Sequence, residues 1–166
     1  MSIYVDTSLL VAALDVKDHR QAEALSLLEK YRSKVASELV LIEMASVLSR
    51  DKRLLKSLSQ RLKLSEDLTL IAVLIYLLKR FKIKYVKLEL VQRAIMPWTM
   101  YEPFATALEL STNLKMKTLD LLHLAYIQAI SKTGEPVTAI ATANRDFKKT
   151  QKHITKKLGI KVIFIE

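Results

Sequence analysis

Ile3-Tyr4-Val5-Asp6-Thr7-Ser8-Leu9-Leu10-Val11 is the stretch on which the fold reading turns. Three β-prone residues stop at an acid and two hydroxyls, after which apolar residues resume at a helix-compatible spacing. The segment predicts a strand running directly into a helix, with Asp6 at the join. In a parallel sheet such joins lie at the carboxyl ends of the strands, where ligand crevices form. An acid there is either a helix N-cap or a functional group.

The same alternation continues outward. An amphipathic helix is expected over 18–31, a short strand over 34–37, and a long helix over 38–54 that ends in the basic run 50–56. Ser65 or Asp67 can cap a further helix that runs to about Arg80. Residues 82–88 alternate charged and apolar side chains, as an edge strand with one wet face would. Pro97 and Pro103 bracket a break around Trp98, and helices are expected over 104–114 and 119–131. A strand over 136–141, a helix over 146–158 and a strand over 160–165 complete the chain. Strands separated by helices, without a hairpin turn signal, predict an α/β protein. The expected architecture is a three-layer α/β/α sandwich around a mainly parallel central sheet of four to five strands, in one domain over 1–166.

Composition narrows the chemistry. The 166 residues contain no Cys, three scattered His and two isolated Gly. Disulfides, thiolate nucleophiles, finger-type zinc sites and glycine-rich phosphate loops are therefore excluded. The longest nearly continuous apolar run, 68–78, spans 11 residues, against the ~20 that a membrane-spanning helix needs. The N-terminus lacks a basic, signal-like region, so a cytoplasmic location and no membrane partner are expected. The net charge is +10 and is unevenly spread. Residues 1–50 hold 6 basic and 7 acidic groups, 51–100 hold 11 and 4, and 101–166 hold 10 and 6. Such a surplus suits a polyanionic partner or a lysine-rich solubilising surface.

Three acids sit in apolar surroundings. Asp6 follows an apolar strand, Glu43 lies within Leu39-Val40-Leu41-Ile42-Glu43-Met44-Ala45, and Asp120 lies within Leu119-Asp120-Leu121-Leu122-His123-Leu124-Ala125. Burying an ionised carboxylate costs several kcal/mol, of order, unless a partner offsets it. One bound divalent cation would offset all three, and hard oxygen ligands without sulfur select Mg²⁺ or Mn²⁺. Each acid also has an ordinary reading: Asp6 as N-cap, Glu43 paired with a distant cation, Asp120 in a helix first turn. Asp146 is a fourth candidate, because the loop that follows the 136–141 strand should face the pocket of Asp6. His123 reads as a packed helix residue.

Val5-Asp6-Thr7-Ser8, Glu43 in its apolar helix, Leu119-Asp120-Leu121-Leu122-His123-Leu124-Ala125 and Thr142-Ala143-Asn144-Arg145-Asp146-Phe147 resemble, in order, the four acidic motifs of the PIN-domain nucleases. Within that family the chain looks most like the VapC toxins of prokaryotic toxin–antitoxin pairs. The resemblance implies a Mg²⁺- or Mn²⁺-dependent endoribonuclease that leaves a 5′-phosphate and a 3′-hydroxyl, a homodimer, and a small antitoxin partner. It implies a metal site of Asp6, Glu43, Asp120 and Asp146, supported by Ser8, Thr142 and Asn144. Arg145, Lys148, Lys149 and Lys152 would hold the RNA backbone. Asn144 stands where many relatives have Asp, and the long interval between Glu43 and Asp120 implies a helical extension within about 51–103. The rival readings are a non-catalytic nucleic-acid-binding or assembly module that kept the fold, and a phosphatase with Asp6 as nucleophile. The phosphatase reading wants a second Asp at the position of Ser8.

Overall fold

The structure is a computed structural model and describes residues 2–166. Strand β1 (Ser2–Val5) leads into α1 (Thr7–Leu14) and α2 (Gln21–Lys30), then β2 (Lys34–Ala36) and α3 (Glu38–Arg50). Next come α4 (Lys52–Leu62), α5 (Glu66–Arg80) and β3 (Ile83–Tyr85), followed by β4 (Gln92–Ile95) and β5 (Trp98–Tyr101). The chain ends in α6 (Glu102–Leu114), α7 (Thr118–Lys132), β6 (Val137–Thr142), α8 (Arg145–Leu158) and β7 (Lys161–Phe164). Five strands form one parallel sheet in the order β3-β2-β1-β6-β7, flanked by helices as the α/β/α reading expects. Among the described residues no helix is long and apolar enough to cross a membrane.

β1 is buried along its whole length and β6 nearly so, which is why they read as continuous apolar runs and occupy the middle of the sheet. Their register pairs Tyr4 with Ile140 and Val5 with Ala141. The two chains therefore leave the sheet side by side, and the Asp6 N–H still donates to the Ala141 carbonyl at 3.0 Å. This pairing brings the Asp6 turn against the Thr142 turn, across 136 residues of sequence. Helix α7 is buried from Asp120 through Ile127, so any polar group on it meets protein rather than bulk water. Phe147 of α8 is fully buried and anchors the turn after β6 to the core.

Three expectations change. β4 and β5 make an antiparallel hairpin in which Ile95 pairs with Trp98, so that Met96 and Pro97 alone join the strands, through a cis peptide bond. The turn lacks the Asn-Gly or Gly-Xaa pair that marks most two-residue hairpins, and the prolines read only as a break. Along 82–88, only Ile83–Tyr85 pairs with the sheet. Helix 38–54 is cut at Asp51, whose carboxylate accepts the Leu54 N–H at 3.0 Å and starts α4. The basic run is thus a separate helix, joined to α5 by a turn at Lys63 and capped there by Ser65. Asp51→Ala should cost about 1 kcal/mol, the usual loss of a helix cap. The midpoint of urea unfolding, at unchanged slope, checks this.

Candidate active site

Asp6 occupies the N-cap position of α1, but its side chain makes no capping bond. Its Oδ2 instead accepts the Ser8 hydroxyl at 2.5 Å and the Thr142 hydroxyl at 2.6 Å, with the residue only 3% exposed. The ordinary N-cap reading of Asp6 does not describe its carboxylate. Ser8 Oγ also accepts the Ala143 N–H at 2.9 Å, and Thr142 Oγ1 accepts the Asn144 N–H at 2.9 Å. The two hydroxyls therefore staple the β6–α8 turn to the β1–α1 turn and aim the acid.

Glu43 projects from α3 toward the same point. Its Oε2 accepts the Thr7 hydroxyl at 2.5 Å and lies 2.9 Å from His123 Nε2. The same Nε2 stands 3.2 Å from Asp6 Oδ1. His123 is buried, and its Nδ1 is 3.0 Å from the Tyr4 hydroxyl, which in turn meets Ser37 Oγ at 2.6 Å. Far from being only a packed residue, His123 bridges two acids and has its other nitrogen fixed by Tyr4. Burial alone would lower the pKa of this imidazole. The charges of Asp6, Glu43 and Asp120, with the hydrogen bond to Glu43, outweigh burial and raise it. For Glu43, burial pushes upward, but His123 and the Thr7 hydroxyl hold the carboxyl below its usual range.

Asp120 lies one turn before His123 on α7 and is 5% exposed. Its Oδ1 accepts the Asn144 side-chain N–H at 2.8 Å, whereas its Oδ2 is buried without a hydrogen-bond partner. Burial first, and the charge of Asp6 second, push this carboxyl up to about 6. An unpaired carboxylate oxygen in such a place is the kind of atom a cation satisfies. Asp6, Glu43 and His123 offer ligand atoms within 4.8 Å of one another, and Asp120 lines the same pocket of about 460 Å³. Oxygen donors dominate this set, so the residues fit a hard divalent ion, and one imidazole does not disturb that fit.

Asp146 stands apart from the other three. Its carboxylate pairs with Lys117 at 2.8 Å and with Lys149 at 3.6 Å, and it does not line the pocket. The hydrogen bond and charge of Lys117 lower its pKa. The Asp146 main-chain N–H is received by Asn144 Oδ1 at 3.0 Å. Asn144 therefore caps α8 with its oxygen and donates to Asp120 with its nitrogen, a double duty that an aspartate could not perform, having no N–H to give. Arg145, Lys148 and Lys149 line a neighbouring cavity, and Lys152 lies exposed outside it. Thr7, Arg20 and Arg50 also line the acidic pocket; Thr7 lies within the quoted Asp6-Thr7-Ser8 stretch but carries no expected role there, and neither arginine is among the expected site residues. Arg20 reaches it from the loop before α2, where Asp18 holds its guanidinium at 2.7 Å and 2.9 Å.

Comparison with known proteins agrees with this geometry. A search of curated proteins finds no match. The crystal structure of VapBC2 from Rickettsia felis, bound to a DNA fragment from their promoter, is similar in fold, with 18% sequence identity, a TM-score of 0.57, and the whole of both chains covered. The PIN domain family profile matches residues 3–153. A profile match over so much of the chain, on a five-stranded parallel sheet flanked by helices, establishes that the chain belongs to the PIN domain family.

Proposed function

We infer that this protein is a divalent-metal-dependent endoribonuclease, the toxin of a VapC-type toxin–antitoxin pair. PIN domains are in general nucleases, and the VapBC2 likeness supports the toxin subgroup. One observation carries the reading: three acids, from the turn between β1 and α1, from α3 and from α7, converge on one pocket, and one of them presents a buried carboxylate oxygen that no protein donor satisfies.

Asp6, Glu43 and Asp120 would hold Mg²⁺ or Mn²⁺. When bound, the ion would supply Lewis-acid neutralisation of phosphoryl charge and a more acidic water. Ser8 and Thr142 keep Asp6 aimed, as Thr7 and His123 keep Glu43. Asp120 would turn its unpartnered Oδ2 to the ion while Asn144 holds its Oδ1 at 2.8 Å. Arg20 and Arg50 offset the negative phosphate as it approaches three acids. Asp146 acts at one remove, through Asn144 and through its charge on Asp120. The basic residues of α8 serve the RNA backbone.

The protein partners in this reading are a small antitoxin and a second copy of the chain. Ile42 on α3 and Leu68, Ile71, Ile75 and Tyr76 on α5 are exposed apolar side chains that such a partner would cover. The test is cleavage of structured and unstructured RNAs with Mg²⁺, Mn²⁺ or EDTA. Cleavage should require the ion and yield 5′-phosphate ends. Cleavage that persists in EDTA, or no cleavage of any RNA with either ion, would overturn the reading and favour a binding module.

A further inference from the structure

Beside the acidic pocket, and sharing Arg20 and Asn144 with it, lies a second cavity of about 920 Å³. Among its other lining residues are the basic Arg145, Lys148 and Lys149 with His19, and the aromatic Phe164. The only acid among its described lining residues is Glu166. One groove thus has an acidic end and a basic end, with Arg20 at the boundary. That guanidinium is locked in place: two bonds go to Asp18, and Nη1 donates to the Ala143 carbonyl at 3.2 Å. Three of its five N–H donors are used, leaving two for an oxyanion at the boundary.

Phe164 ends β7 and is half-buried in the cavity wall. The Lys148 ammonium lies 4.8 Å from the centre of its ring and also pairs with the Glu166 carboxylate. The Glu166 main-chain N–H is itself held by Glu23 at 3.1 Å. Lys148 thus stands between an anion and an aromatic face, the two partners a nucleotide would replace: a phosphate in place of Glu166, and a base on the Phe164 ring as that phosphate draws the ammonium away. Unpaired bases of single-stranded RNA stack on such rings while basic side chains follow the backbone.

Resting on the ribonuclease reading above, we propose that this cavity is the subsite for the nucleotide adjacent to the scissile phosphate. Its base stacks on Phe164, its phosphate engages Lys148, Lys149 and the free N–H groups of Arg20, and Glu166 competes with that phosphate for Lys148. The subsite deepens the RNA-binding role of α8 from a charged face into a place that takes one unstacked nucleotide.

The test is binding of a short fluorescein-labelled oligouridylate, followed by anisotropy in EDTA so that no cleavage intervenes. Phe164→Leu should weaken binding about tenfold, the usual effect of losing one base–aromatic stack, and Phe164→Trp should retain it. Lys148→Gln should weaken binding and flatten its salt dependence by roughly one phosphate contact. Glu166→Gln should tighten binding a few-fold, the opposite sign, because a competing anion has gone. A folded Phe164→Leu variant that binds within twofold of wild type overturns the subsite, and so does Phe164→Trp binding as weakly as a Leu variant. Should the four binding results hold while no variant or wild type cleaves RNA with Mn²⁺, the nuclease reading fails and the cavity stands as a nucleotide-binding site alone.

Discussion

Asp6→Asn is expected to slow RNA cleavage with Mn²⁺ by about 10³-fold or more, equivalent to ~4 kcal/mol of lost transition-state stabilisation. The substitution keeps the shape of the side chain, and the amide oxygen can still accept from Ser8 or Thr142, the two hydroxyls that hold the native carboxylate. What it removes is a full negative charge at the centre of the cluster. That charge is what a divalent ion needs and what His123 answers at 3.2 Å. The expected signature is a collapse of kcat with an unchanged circular dichroism spectrum. If the acid served only to join the two turns, cleavage would fall no more than the folded fraction does.

Asp120→Asn should lose cleavage as well, yet stabilise the metal-free protein at pH 8 by about 2 kcal/mol, or roughly 4–8 °C in Tm for a chain of this size. The sign follows from the direction of the shift. The folded-state pKa of Asp120 is pushed up to about 6 from an ordinary value of 3.8, burial being the larger cause and the charge of Asp6 the next. A raised pKa means that the folded state holds the proton more tightly than the unfolded chain. The resulting stabilisation is fully present below the unfolded value and is lost as pH rises through about 6. Above that, the wild type carries an ionised, buried and half-unpaired carboxylate, which Asn never becomes. The two proteins should therefore melt alike near pH 4 and diverge toward pH 8. Added Mn²⁺ should reverse the order at pH 8, because an ion that binds ionised ligands stabilises wild type and gains most where protons no longer compete. Scanning calorimetry across pH, with and without the ion, reads both effects.

The parts of this molecule legible from the sequence are those where local chemistry conflicts with its surroundings. Asp6 after an apolar strand, Glu43 in an apolar helix and Asp120 in a buried one are each costly alone, and that cost points to a shared pocket. The parallel sheet was legible for a related reason: strands buried on both faces read as short apolar runs separated by helices. His123 was not, because an i,i+3 neighbour of Asp120 on an apolar face packs in the core just as readily, and only the approach of α3 brings Glu43 to within 2.9 Å of it. Arg20 and Arg50 were hidden similarly, since their place at the pocket depends on how α2 and α3 leave the sheet. Asp146 shows the converse. Its position after β6 suggested the pocket, but Lys117, 29 residues upstream, turns its carboxylate away at 2.8 Å. The β4–β5 hairpin escaped because Met96-Pro97 makes a tight link without the usual turn residues.

The proposed nuclease chemistry requires that Asp6, Glu43 and Asp120 together hold a divalent ion. Anomalous diffraction from crystals soaked in Mn²⁺ tests it most directly. The expected result is a peak in the pocket with carboxylate oxygens of Asp6, Glu43 and Asp120 within about 2.5 Å of it, and no such peak in Asp6→Asn crystals. Crystals that take up Mn²⁺ only at surface acids, with His123 still bridging Asp6 and Glu43 in the pocket, would contradict it.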